Sequence, residues 1–300
     1  MRVLVTGANG QLGRDVVARL SQHDVLATMR RSAAPEDHLD FPTIAMDVTD
    51  EQETRSAIRS FHPDVVINCA AFHRVDDIER DASQALAVNA LAVHRLALIC
   101  REIGAALVHI STDYVFDGTK NAPYVESDTP NPLSAYGASK LAGELLLRNT
   151  WHKHYIIRTC GLYGIAGASG KGGNFVNTML RLANEGKPIR VVKDQVCTPT
   201  FTRDLAEHIA ELIETEAYGT YHITNDGACS WYEFACEIFR LAGVSPDVTP
   251  ITSEEYGAPA RRPPYSVLDN AALRALGLDR MRHWREALAE YVALRTQSSH

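Results

Sequence analysis

Tyr136 and Lys140 stand four residues apart in a helix-compatible stretch that opens just after Pro132, so both side chains project from one face. A phenol beside an ammonium is suited to proton transfer, because the positive charge stabilises the phenolate and draws its pKa from about 10 toward working pH. The spacing alone proves little, since 11 tyrosines and six lysines in 300 residues give about 0.2 such pairs by chance. The plain alternative is that Lys140 pairs with Glu144 on a solvated helix face while Tyr136 packs inward. What favours chemistry is the company the pair keeps. The hydroxyls of Ser111 and Thr112 end a predicted parallel strand, where ligands of such sheets bind, and one of them could hydrogen-bond a substrate carbonyl beside the tyrosine.

A second motif opens the chain. Gly7-Ala8-Asn9-Gly10-Gln11-Leu12-Gly13 follows the first apolar run and leads into a helical pattern, the context that a dinucleotide-binding turn requires. Without Cβ atoms the turn is tight, the backbone approaches a pyrophosphate, and the helix N-terminus offers its N–H groups. The same glycine spacing recurs at Gly161, Gly164 and Gly167, but a glycine-rich loop follows there, which reads as a turn without a ligand. After the second run, where a domain preferring NAD carries an acidic residue, this chain has Met29-Arg30-Arg31. Two guanidinium groups suit a 2′-phosphate, which favours NADPH and leaves NADH second; solvated surface arginines are the plain alternative. Asp47 and Val48, after a third strand that precedes the helical pattern at 50–61, either border the adenine or are ordinary surface.

Short apolar runs at 3–6, 25–28, 65–68, 106–111 and 155–159 alternate with helical patterns at 12–20, 50–61, 83–103 and 133–148. That rhythm predicts an α/β fold with a doubly wound parallel, Rossmann-like sheet. After Gly161 the texture changes. Residues 161–173 are predicted to form a mobile loop, followed by a helix at 174–185, a strand at 189–192, a helix at 202–214, a strand at 220–224 and helices at 230–242 and 284–294. The proline-rich stretch 259–264 reads as an extended arm. The expected division is a dinucleotide-binding domain over 1–160 with returning segments near 189–226, and a smaller C-terminal substrate-binding lobe over 161–188 and 227–300.

Composition narrows the class. Among 300 residues, 45% hydrophobic and 22% charged fit a folded globular chain. A net charge of -7 without a basic cluster opposes nucleic acid as a partner. No run of about 18 to 20 consecutive apolar residues is present, so no membrane span is expected. Cys69, Cys100, Cys160, Cys197, Cys229 and Cys236 form no CxxC pair, and no secretory pattern precedes the first strand, which fits reduced thiols and a cytoplasmic location. No HExxH or Cys/His ligand set calls for a metal. His152 and His154 read as part of a solvated loop.

These motifs resemble the extended short-chain dehydrogenases, and within them the dTDP-4-dehydrorhamnose reductase family, over nearly the whole chain. The narrower matches are Ser111-Thr112-Asp113-Tyr114-Val115-Phe116-Asp117-Gly118, Tyr136-Gly137, Ser139-Lys140, Asn174-Phe175-Val176, Asp194-Gln195, Thr198-Pro199-Thr200, Arg262-Pro263, and Ser266 with Leu268-Asp269. Asn68-Cys69-Ala70-Ala71 and Val75-Asp76 belong to the broader pattern. The resemblance implies reduction of a 4-keto-6-deoxysugar attached to dTDP, with hydride from the nicotinamide and the proton from Tyr136. Thr112 would polarise the ketone, and Lys140 would bind the nicotinamide ribose. Cys69, Ala70, Ala71, Asn89 and Ser111 would join the glycine turn around the cofactor. Asp113, Val115, Phe116, Asn174, Gln195 and Arg262 would face the nucleotide sugar, and a homodimer is admitted.

Two departures stand out. Where that family usually has Ser-Trp after the Arg-Thr of the sixth strand, this chain has Cys160-Gly161, which predicts the loss of a bulky wall of the sugar pocket. Phe72-His73-Arg74 adds a charge near the expected substrate mouth. Two other functions share the fold: a non-catalytic partner similar to the regulatory subunit of methionine adenosyltransferase, and an epimerase that keeps its NAD and returns the hydride to the same sugar.

Overall fold

Val3, Leu4 and Val5 are fully buried, and every residue of the runs Val65–Asn68 and His154–Thr159 is buried as well. Strands without a wet face belong to parallel sheets covered by helices on both sides. The computed structural model describes residues 1–30, 41–166 and 173–297, and it has that arrangement. In chain order the elements begin β1 (Arg2–Thr6), α1 (Gln11–Arg19), β2 (Asp24–Met29), β3 (Thr43–Ala45), α2 (Glu51–Phe61), β4 (Val65–Asn68), α3 (Val75–Arg80), α4 (Ser83–Leu86), α5 (Ala92–Ile103) and β5 (Ala106–Thr112). They continue with α6 (Ala135–Thr150), β6 (His154–Thr159), β7 (Leu162–Tyr163), α7 (Phe175–Asn184), β8 (Ile189–Val192), β9 (Val196–Cys197), β10 (Thr200–Phe201), α8 (Thr202–Leu212) and β11 (Gly219–His222). The last are β12 (Cys229–Ser230), α9 (Trp231–Ala242), β13 (Val248–Ile251), α10 (Ser253–Tyr256), α11 (Ala271–Ala275) and α12 (Trp284–Gln297).

Seven parallel strands form the main sheet in the order β11-β6-β5-β4-β1-β2-β3. The order reverses between β1 and β4, which opens a crevice at the C-terminal strand ends. One face packs against Val16 and Val17 of α1 and Leu205 and Ile209 of α8. The other is covered by Ile58 of α2, Leu96 and Ile99 of α5, and Leu147 of α6. A separate core gathers Tyr163, Phe201, Phe234, Trp284 and Tyr291 beyond the crevice.

Several expectations are corrected here. Leu162 and Tyr163 were expected in a loop but form β7, which pairs with β10; residues 167–172 of that stretch lie outside the described residues. Ile189–Val192, expected to return to the first domain, pairs instead with β13. Tertiary partners decide which sheet a short apolar run joins, and periodicity does not report them. His154 is not in a solvated loop; it is the first residue of β6, buried, with its ring against the Trp151 carbonyl. The single helix predicted at 83–103 is interrupted by a π turn, Ala87–Leu91. There α6 packs so closely that a Cβ on Gly143 would overlap the Asn89 carbonyl oxygen. By length and composition the stretch Ser83–Ile103 is apolar enough to cross a membrane, yet half of it is buried inside the molecule, as in a core helix.

Candidate active site

The crevice is a cavity of about 810 Å³, the size of a pocket for a small ligand or cofactor. Six consecutive strand ends open onto it, through Gly7, Arg30, Met46, Cys69, Thr112 and Cys160. Three helices that begin at the crevice carry side-chain caps. Ser134 accepts from Gly137 N at 3.2 Å, Asn174 from Asn177 N at 3.0 Å, and Ser230 from Glu233 N at 3.1 Å. By contrast, α1 has no side-chain cap. Its first N–H groups are left for a ligand, and its macrodipole favours an anion there.

The glycine turn is built for that approach. Gly7 has φ +63°, and a Cβ on it would sit 2.8 Å from Ala70 N. A Cβ on Gly13 would run into the Gly7 carbonyl, so α1 could not lie this close to β1. Asn9, Gly10, Gln11 and Leu12 also line the cavity. Gln11 reaches across the crevice, donating to Leu162 O at 3.1 Å and accepting from Gly164 N at 3.2 Å. Arg30, Asp47 and Val48 lie along the same end, as do Cys69, Ala70 and Ala71. The Asp47 carboxylate is held by Thr49, whose N–H and hydroxyl donate at 2.8 and 2.7 Å. Arg31 lies outside the described residues. Asn89 departs from expectation: it does not line the cavity but braces the loop behind it, donating to Phe72 O at 2.8 Å and Ser139 Oγ at 3.0 Å.

Tyr136 and Lys140 both line the middle of the cavity from one face of α6. The alternative of a solvated lysine fails, because Lys140 is 1% exposed and Glu144 is engaged by Arg158 at 2.7 Å in a buried ion pair. Ser111 lines the cavity, but its hydroxyl donates to Glu144 and is committed to that pair. Thr112 is the hydroxyl beside the tyrosine, close enough to draw its proton affinity down. Its Oγ1 also donates to Asp113 Oδ1 at 3.0 Å. Tyr114 holds the Tyr136 ring edge-on, with centroids 5.8 Å apart.

The electrostatics differ from the simple expectation. Burial pushes the Tyr136 phenol above its usual range, and the Thr112 hydroxyl opposes that shift. Lys140 is not among the groups that shift it in this state, and its amine donates rearward to Ile110 O at 2.6 Å. Burial also brings Lys140 down to about 8, while the Glu144 carboxylate pulls the other way. Cys69 is pushed up to about 12 by burial and stays a neutral thiol.

At the far end, Asp113 is buried, and burial raises its carboxyl despite hydrogen bonds from Ser266, Cys160 and Thr112; the Cys160 thiol donates at 3.0 Å. Gln195 lines the cavity and donates to Ser253 Oγ at 2.9 Å. Asn174 also lines it, although its Nδ2 already donates to Gly164 O at 3.0 Å and lies 3.2 Å from the Tyr291 hydroxyl. Three expected residues are elsewhere. Val115 and Phe116 are fully buried with Tyr124 and Leu268, because the 3-10 turn Asp113–Val115 rotates them inward. Arg262 is not part of the lining; its guanidinium grips both Asp76 carboxylate oxygens at 3.0 Å. Arg74 is at the surface, 3.6 Å from Asp77, and adds no charge to the cavity wall.

The missing wall is supplied from another element. Gly161 has φ +54°, and a Cβ there would sit 3.3 Å from Cη2 of Trp231, the first residue of α9. Trp231 lines the cavity beside Phe175, with ring centroids 4.7 Å apart. Sequence reasoning missed Trp231 and Cys197, which both line the cavity; a tryptophan directly after a capping serine, Ser230, was the one available signal for the first.

A parallel sheet of this order, an uncapped glycine turn at its switch point, and a Tyr-Lys pair beside Thr112 define an extended short-chain dehydrogenase/reductase. The chain belongs to the RmlD substrate binding domain family, whose model matches residues 1–296. It is 42% identical over 299 residues to the spore coat polysaccharide biosynthesis protein SpsK of Bacillus subtilis, with 99% of each chain covered. It is 42% identical over 296 residues to a dTDP-4-dehydrorhamnose reductase of Streptomyces griseus, covering 96% of this chain and 92% of that one. The structure of a dTDP-4-dehydrorhamnose reductase from Bacillus anthracis in complex with NADP superposes with a TM-score of 0.86 at 38% identity, covering 98% of this chain and 99% of that chain.

Proposed function

We propose that this protein is an NADPH-dependent reductase of the 4-keto group of a nucleotide-linked 6-deoxysugar. One observation carries the reading: Tyr136, Lys140 and Thr112 line the same cavity as the uncapped glycine turn, so a dinucleotide laid along that turn ends beside a proton donor. The crowding of Gly7 and Gly13 against backbone keeps the turn tight and α1 close to β1, which sets the uncapped helix start where a pyrophosphate would lie. Asn9, Gly10, Gln11, Leu12, Asp47, Val48, Cys69, Ala70, Ala71 and Ser111 complete the cofactor side, and Arg30 favours the 2′-phosphate. The relative from Bacillus anthracis, in complex with NADP, supports the same cofactor.

When bound, the dihydronicotinamide supplies the hydride to the carbonyl carbon. Tyr136 then gives its proton to the carbonyl oxygen, which Thr112 holds by turning its hydroxyl from Asp113 to the substrate. Lys140 holds the ribose and stabilises the phenolate left behind. Asp113, Asn174 and Gln195 face the sugar nucleotide from the other side, with α7, β8, α9, β13 and α12 as the substrate-binding lobe. A cytoplasmic location fits the six free thiols.

The test is to give the purified protein NADPH and a dTDP-4-keto-6-deoxysugar. Stoichiometric oxidation of NADPH with formation of the sugar alcohol is expected. Tight cofactor binding without consumption would indicate a regulatory partner instead. Epimerisation with retained nicotinamide and no net oxidation would indicate an epimerase.

A further inference from the structure

His109 is the fourth residue of β5, fully buried, and the mechanism above gives it no task. Its Nε2 lies 3.3 Å from Lys140 Nζ. On its other side, Nδ1 lies 3.2 Å from the Asn68 amide nitrogen. Asn68 in turn accepts the Thr6 hydroxyl at 2.6 Å, and Thr6 Oγ1 accepts from Ala70 N, which lines the cavity, at 3.3 Å. A buried polar chain therefore runs from the back of Lys140 to the floor of the glycine turn.

Lys140 has three protons when charged. The Ile110 carbonyl takes one at 2.6 Å, and the imidazole is the other rear neighbour, which leaves one for the cavity. The Asn68 amide can present either its N–H or its oxygen to His109 Nδ1. With the oxygen there, the imidazole proton sits on Nδ1 and Nε2 accepts from an ammonium. With the N–H there, the proton sits on Nε2 and is donated to a neutral amine. We propose that His109 is a positioning residue for Lys140, its Nε2 supporting the amine from behind in both states, the charged one more strongly because that bond is charge-assisted, so that the remaining proton faces Tyr136 and the cavity.

The groups around the pair are consistent with this role. Among the described residues Glu144 on α6, with Arg158 of β6 bound to it, is the one carboxylate acting on Lys140, and Tyr136 lies one turn away on α6. Cys69, after β4, is a neutral thiol. His109 itself is kept neutral by burial and by Lys140, its proton affinity well below the usual histidine range. An imidazole that stays neutral can exchange tautomers with its neighbours, which an imidazolium cannot.

The inference rests on the reductase reading for its purpose, but its test does not need turnover. Trace labelling of the whole protein with acetic anhydride across pH, read by mass spectrometry of the Lys140 peptide, gives the midpoint at which that amine loses its proton. His109→Leu removes the acceptor and should lower the midpoint by about one unit or more, while His109→Gln, which keeps an acceptor oxygen, should stay near the wild type. Asn68→Asp would fix the imidazole proton on Nδ1 and should raise the midpoint by about one unit. A merely structural role predicts lost thermal stability with unmoved midpoints, and that result overturns the proposal. Should His109→Leu fail to fold, Asn68→Asp is read against the double variant Asn68→Asp/His109→Gln: a rise that the second change abolishes supports the role, and a rise that survives it, or no rise, refutes it. If no nucleotide-linked ketosugar is reduced, the functional reading falls while these midpoints still decide the role of His109.

Discussion

At the scale of single residues, the site separates groups that are free to act from groups already committed. Arg30 lines the cavity with no carboxylate paired to it among the described contacts, whereas Arg262 is spent on Asp76. A guanidinium that meets a phosphate contributes a charge-assisted bond worth roughly 1.5 to 3 kcal/mol. Arg30→Ala should therefore weaken NADPH by about tenfold or more and NADH far less, measured by fluorescence titration; equal losses would remove Arg30 from 2′-phosphate recognition. The same distinction explains where motif reading went astray. Val115 and Phe116 sit in the same run as Thr112 and Asp113, yet the backbone turn at Asp113 sends them into the core. Residue type and spacing do not report that rotation. Asn89 is a similar case, since a polar residue near a cofactor can brace the wall as readily as it can line it.

Among elements, helix starts organise the chemistry. Ser134 caps α6 and so fixes Tyr136 in its first turn, and the Ser230 and Glu233 capping box fixes Trp231 as the first residue of α9. Gly161 leaves the room that the Trp231 indole uses, so the turn after β6 and the start of α9 form one wall from two parts of the chain. Trp231→Ala should raise KM for the sugar nucleotide by about tenfold or more while KM for NADPH stays within about twofold. A parallel rise in both would mean that Trp231 only supports the fold. The strands and long helices were legible because burial on both faces leaves unbroken apolar runs and amphipathic helices leave their period. The Trp231 and Gly161 contact was not legible, because two positions 70 residues apart meet only through packing. The pairing of β8 with β13 escaped for the same reason.

For the molecule as a whole, the sheet brings six strand ends to one crevice, and the second core of Tyr163, Phe201, Phe234, Trp284 and Tyr291 closes its far side. The glycine turn and the Tyr136 and Lys140 pair are more than 120 residues apart in sequence, and only the switch in strand order between β1 and β4 puts them in one cavity. That co-location is the centre of the account. Its most direct test is Tyr136→Phe, with steady-state turnover and NADPH affinity measured on the same preparation. Loss of the hydroxyl should lower kcat by about 10² to 10⁴ while the NADPH Kd stays within about twofold, since the ring and the glycine turn are untouched. Turnover within a few-fold of the wild type would show that the proton comes from elsewhere and contradict the assignment.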